Sequence, residues 1–233
     1  SHIEELRYVL VYSLVFVGIG VIGVSIFAHD LYLLLLEPLK DFQSDAQLVT
    51  HSPPEAFVIY LKISLLGGVV LASPFIIWQV LKFITPGLKP AEKRWTIPGL
   101  LVGLILFAAG IVFAHLLVVP LALRFLWDFN ISWGIQPLWR VQYYFSFILT
   151  LFAVFGSMFE LPLLVTIFAR LGVASPEFLR QKRKYAIVIL VGLSAVLTPP
   201  DLVTQILLSL PMWVLYEISI LLAQLVYPSS LEP

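Results

Sequence analysis

Two carboxylates, Glu5 and Glu92, stand among cations. Arg7 follows Glu5. Glu92 lies in the stretch KFITPGLKPAEKRW, residues 82–95, with Lys82, Lys89, Lys93 and Arg94 around it. A carboxylate inside a cationic rim can select guanidinium groups, because the planar fork of arginine binds it through two parallel hydrogen bonds and an ammonium cannot. The competing reading is structural. An acid in the first turn of a helix is stabilised by the helix dipole by about 0.3–1 kcal/mol.

Glu160 points to a different chemistry. It precedes Pro162 and lies inside an otherwise apolar run that ends at Arg170. Ten residues at 1.5 Å each put it roughly 15 Å from that end. A charge at such a depth in a bilayer costs at least about 2.5–3.5 kcal/mol, so these residues usually face a bundle interior or water. Pro162 also removes the hydrogen bond to the Met158 carbonyl. The plain alternative is a protonated or hydrogen-bonded glutamate that ties helices together. A third polar group is Thr198, Asp201 and Gln205, beside the turn Thr198-Pro199-Pro200-Asp201. Thr198 or Asp201 can cap the last helix. Gln205, one turn in, can bond a polar residue on a partner's membrane helix. Lys62 reads as a snorkelling side chain, and His115 as a core residue.

Many chemistries are excluded. The chain has no cysteine and four scattered histidines, so disulfides, thiolate sites and a metal cluster drop out. No HExxH, GxSxG, P-loop or GxGxxG pattern occurs. We expect no enzyme activity, no cofactor and no metal. With 14 basic and 14 acidic residues the net charge is zero, so nothing argues for nucleic acid.

The elements that position these groups follow from composition. Apolar residues make up 60% of the 233 residues and charged residues only 12%, against about 25% charged in soluble domains. Mean hydropathy is +0.99. The reading is an all-α integral membrane protein with six transmembrane helices in one polytopic domain, residues 1–228; residues 229–233 read as an appended tail. The spans fall at about residues 8–28, 56–80, 90–123, 142–170, 185–196 and 202–226, and the last two form a short hairpin. Residues 31–39 lie in the interface, and residues 124–140 are a tryptophan-bearing loop. Ser52-Pro53-Pro54-Glu55 is a capping box. Ser175-Pro176-Glu177 starts a short surface helix. Ten basic residues collect on one face, Arg7 and Arg180 to Lys184 among them. The other holds only Lys40, Arg124 and Arg140. The positive-inside rule then puts both termini in the cytoplasm.

Several stretches carry a family resemblance: HIEELR, ASPFIIWQVLKFITPGLKPAEKR, FAHLLVVPLALRF, FGSMFELPLLV, SPEFLRQKRKYAIV and LTPPDLVTQILLSLPMWVLYEI. In this order, over nearly the whole chain, the sequence resembles the TatC family, the core of the twin-arginine protein translocase. The resemblance implies a curved bundle and a binding function. Such a protein receives signal peptides with consecutive arginines on folded cargo. It recruits single-span TatA-like and TatB-like partners for transport driven by the protonmotive force, and it associates with further copies of itself. The resemblance assigns Glu5, Glu92, Phe83 and Arg94 to the signal peptide, Glu160 to the intramembrane acid, and Gln205, Thr198 and Asp201 to partner subunits. Gly87-Leu88-Lys89 departs from the family's ALY and adds charge beside Glu92. The alternatives are a proton-coupled small-molecule transporter using Glu160 and a scaffold that only gathers single-span helices. The missing internal repeat weighs against the first.

Overall fold

The computed structural model describes residues 2–42, 48–84, 96–170, 172–197 and 202–227. Helix α1 covers His2–Ile26 and α2 Ala28–Leu35, followed by a 3-10 turn, Glu37–Phe42. A two-residue strand β1, Leu48–Val49, precedes α3, Glu55–Ile84. Helix α4, Thr96–Phe113, runs through a π-helical turn, Ala114–Val118, into α5, Val119–Ser132. Strand β2, Trp139–Arg140, leads into α6, Val141–Phe159; then come α7, Leu161–Arg170, α8, Pro176–Gln181, α9, Arg183–Leu197, and α10, Leu202–Val226.

Five helical segments among the described residues are long and apolar enough to cross a membrane. They are Arg7–Ile26, Glu55–Ser73, Leu101–Ser132, Val141–Arg170 and Gln205–Val226. The fifth of the six expected crossings is α9, whose 15 residues reach only about 22 Å at 1.5 Å per residue. The hairpin is asymmetric, since α10 has 25 residues.

The third crossing runs on past the boundary expected from the sequence. Residues 119–132 are helical, so the expected loop 124–140 begins only after Ser132. Arg124 and Asp128 are spaced as helical neighbours of opposite charge, which supports a helix rather than ending one. The π turn just before has its own cause. Pro120 cannot donate and would clash with the carbonyl four residues back. Widening the turn lets the Val119 N–H reach the Ala114 carbonyl, which shifts the register before the proline. The expected start near Pro90 lies outside the described residues.

The chain divides into two compact units, residues 1–108 with 134–149, and residues 109–133 with 150–233. In the first, α1 and α3 pack antiparallel. A Cβ at Gly20 would stand 2.5 Å from the Gly68 carbonyl oxygen, so the backbones touch and only glycine fits. Phe16 stacks on Phe75 with ring centroids 4.6 Å apart. Strands β1 and β2 pair in parallel, Leu48 with Trp139 and Val49 with Arg140. This brings the start of α6 beside α2 and α3. There Phe145 is fully buried, Tyr32 stacks on it at 5.0 Å, and the Tyr144 hydroxyl donates to the Leu35 carbonyl at 2.8 Å. In the second unit, α10 packs along α7 and α9, with Leu208, Met212 and Ile220 in its core. Gly110 faces the Phe155 carbonyl oxygen, 2.5 Å from where a Cβ would stand.

Candidate functional site

The amino-terminal end of α1 carries Glu5, and the last turn of α3 carries Phe83. Phe16 meets Phe75. Glu5 therefore lies about 16 Å beyond that contact along α1, and Phe83 about 12 Å beyond it along α3. Because the helices are antiparallel, both residues emerge at the same end of the pair. The chain leaves α3 at Ile84 from that end. Glu92 and Arg94 lie outside the described residues, as do Thr198 and Asp201.

At the opposite end of α3 stands an arrangement the sequence did not announce. Glu55 is 2% exposed. One carboxylate oxygen accepts from the His51 N–H at 3.1 Å. The other accepts from the Ser52 hydroxyl at 3.3 Å and from Arg140 Nη2 at 2.8 Å. The expected capping box thus forms in modified shape, with Glu55 reaching back to His51. Arg140 is held still further above its ordinary pKa by the Glu55 carboxylate that takes its hydrogen bond. Its guanidinium also sits 5.0 Å from the Tyr143 ring centre. Such a pair is a strap between the start of α3 and the start of α6, and its geometry suits neither a guanidinium ligand nor a proton relay.

Lys62 departs from the snorkelling expectation. Its ammonium donates to the Ser146 hydroxyl at 2.7 Å, which ties the second turn of α3 to α6. Ser146 in turn donates to the Gln142 carbonyl.

Glu160 sits at the break between α6 and α7, two residues before Pro162. Its N–H reaches only the Ser157 carbonyl, at 3.2 Å, and its own carbonyl accepts from Leu164 at 3.0 Å. Oε1 is buried and finds no hydrogen-bond donor among the described residues. Phe159 and Phe155, on the last turns of α6, meet the Phe113 ring at 5.4 and 5.8 Å. An acid on interrupted backbone next to this aromatic cluster is a polar point in an apolar wall. It can accept a hydrogen bond from a helix laid against it.

Gln205 is engaged within its own hairpin. Its Nε2 donates to the Val191 carbonyl at 3.1 Å, which ties α10 to α9 near their turn. The bond uses one of its two N–H donors and leaves the carbonyl oxygen able to accept.

The basic segment after α7 forms as expected. The Ser175 hydroxyl accepts from the Phe178 N–H at 3.1 Å and caps α8. Arg183 pairs with Glu217 at 2.6 Å, and the Tyr216 hydroxyl donates to the Leu179 carbonyl at 2.7 Å. The amino end of α9 is thereby fastened to α10.

Comparison with known proteins decides the family. Residues 1–211 match the family model for the Sec-independent protein translocase protein (TatC). The chain belongs to the TatC family. It is 40% identical to the TatC of Carboxydothermus hydrogenoformans, over 99% of this chain and 94% of that one. It is 40% identical to the TatC of Aquifex aeolicus, over 97% and 94%, and 34% identical to that of Escherichia coli K12, over 94% and 85%. A crystal structure of a twin-arginine translocase receptor, TatC, superposes with a TM-score of 0.89 at 40% identity, covering 97% of this chain and 99% of that one. A second, of the TatC receptor in DDM, gives 0.90 over 96% and 99%. The all-α, multi-pass membrane architecture read from the sequence is therefore that of the TatC family.

Proposed function

We propose that this chain is the receptor subunit of a twin-arginine translocase. It binds signal peptides with paired arginines through Glu5 and Glu92, with Phe83 and Arg94 beside them, and it recruits single-span partners near Gln205, Thr198 and Asp201. The observation that carries the reading is the match over nearly the full chain, at 40% identity, to a twin-arginine translocase receptor. The placement of Glu5 and Phe83 at one end of the α1/α3 pair supports it, as does the density of cations around Glu92. Both termini then lie in the cytoplasm, as the uneven distribution of Lys and Arg favours.

Energetics require a second contact. An exposed ion pair contributes about 0–1 kcal/mol, so two arginine–glutamate pairs alone do not hold a peptide specifically. The apolar core of the signal peptide must lie against the spans, with Glu160 as a polar contact within the membrane.

The test is binding of a labelled twin-arginine signal peptide to the protein in nanodiscs. Wild type is compared with Glu5→Ala and Glu92→Ala, and the arginine pair with a lysine pair. The reading expects each alanine variant and the lysine peptide to bind more weakly. Equal binding in all cases would return both acids to helix-end roles and move attention to a transporter using Glu160.

A further inference from the structure

We propose that the first unit holds one phospholipid acyl chain in a cavity between the end of α1, α2, β1 and the first turns of α3. The proposal stands apart from the peptide-binding reading. The cavity measures about 470 Å³, within the roughly 300–1,000 Å³ of sites for small molecules.

Its lining is graded. Ile59, Ile63 and Val141 form a buried apolar floor, each less than a tenth exposed. His29, Thr50 and Tyr60 line the same cavity from exposed positions. None of these three side chains makes a hydrogen bond to another described residue. The rim thus presents hydroxyl and imidazole groups above a wall of hydrocarbon, which is the pattern of an amphipathic ligand with a polar head and one apolar tail.

The occupant follows from what surrounds it. A floor of aliphatic side chains does not hold water. Here the adjoining solvent is the bilayer. Ile26 lines the cavity and is 75% exposed, next to the outward-facing Ile22. The lining is therefore continuous with the lipid-facing surface of α1. The rim also lies at headgroup level, since α1 ends at Ile26 and α3 begins at Glu55. A phospholipid from the adjacent leaflet can place its phosphate and ester oxygens at the rim and one chain on the floor without leaving the membrane.

The experiment uses the full chain in detergent-free nanodiscs containing a phosphatidylcholine with a photoreactive diazirine in one acyl chain. Crosslinks are mapped by mass spectrometry. The expected result is strong labelling of Ile59 and Ile63, above that of Leu14 and Ile19, which face bulk lipid on α1. Ile63→Phe fills the floor, and Ala56→Phe narrows the mouth from an exposed position that tolerates it. Both should reduce floor labelling to the level of Leu14 and Ile19, with α1 labelling unchanged and the melting midpoint of Ala56→Phe near wild type. Floor labelling no stronger than that of α1, or labelling unaffected by Ala56→Phe, overturns the proposal. If Ala56→Phe instead releases a co-purifying polypeptide while lipid labelling persists, the cavity receives a protein segment and the proposal fails.

Discussion

Gln205 Nε2 donates to the Val191 carbonyl across the α9/α10 hairpin at 3.1 Å. The side chain assigned to partner recruitment thus also closes its own hairpin. Hydrogen bonds between membrane helices average about 0.6 kcal/mol. Gln205→Leu should lower the unfolding midpoint by a degree or two, since about 1 kcal/mol corresponds to roughly 2–4 °C at this size. Co-purification of single-span partners should fall much further than this small loss explains. Partner capture that tracks only the melting point would show that Gln205 acts through the hairpin alone.

Glu160 predicts a conflict between stability and function. Its Oε1 is buried and lacks a donor, and an unsatisfied buried group costs about 1–3 kcal/mol. Glu160→Leu should therefore raise the thermal midpoint by roughly 2–12 °C while transport of a twin-arginine cargo into vesicles declines. A variant less stable than wild type would mean that the carboxyl holds the helices together.

The glycines give a steric test. A Cβ at Gly20 or Gly110 would meet backbone at 2.5 Å, whereas Gly18 has open space around it. Overpacking typically costs about 1–3 kcal/mol. Gly20→Ala and Gly110→Ala should both destabilise to that extent in chemical unfolding. Gly18→Ala should stabilise by about 0.5–1 kcal/mol, the gain from removing glycine within a helix. Equal effects at all three positions would contradict the close helix crossings.

Glu55 and Arg140 should behave as a coupled pair. Glu55→Gln or Arg140→Gln alone leaves a charge at a site built for two. The double variant should lower the melting midpoint by less than the sum of the two single losses, as read in a double-mutant cycle. Strict additivity would show that the His51 and Ser52 bonds hold Glu55 without Arg140.

Local features were legible in the sequence. Ser175-Pro176-Glu177 fixes a capped helix because the cap and its N–H lie three residues apart. The break next to Glu160 falls beside Pro162, whose missing N–H removes a helical hydrogen bond. The shortness of α9 could be counted directly. The Glu55–Arg140 strap was hidden, since its partners are 85 positions apart and Glu55 already had a local role in the capping box. The extension to Ser132 was hidden by Arg124, Asp128 and Asn130, which read as loop when only hydropathy is weighed. The spacing of Arg124 and Asp128 was the signal for a helix. Of the candidate residues, Glu160 and Gln205 have described surroundings, Glu5 and Phe83 have places on their helices, and Glu92, Arg94, Thr198 and Asp201 lie outside the described residues.

The strap sets an order of assembly. Glu55 leaves the ribosome 85 residues before Arg140, an interval of roughly 4–17 s at about 5–20 residues per second. Over that time the α1/α3 glycine contact can already form, because both helices lie within the first 84 residues. The carboxylate at the head of α3 meanwhile has no guanidinium. The nascent first unit therefore waits as a two-helix hairpin with one open electrostatic latch, which closes only when the start of α6 arrives.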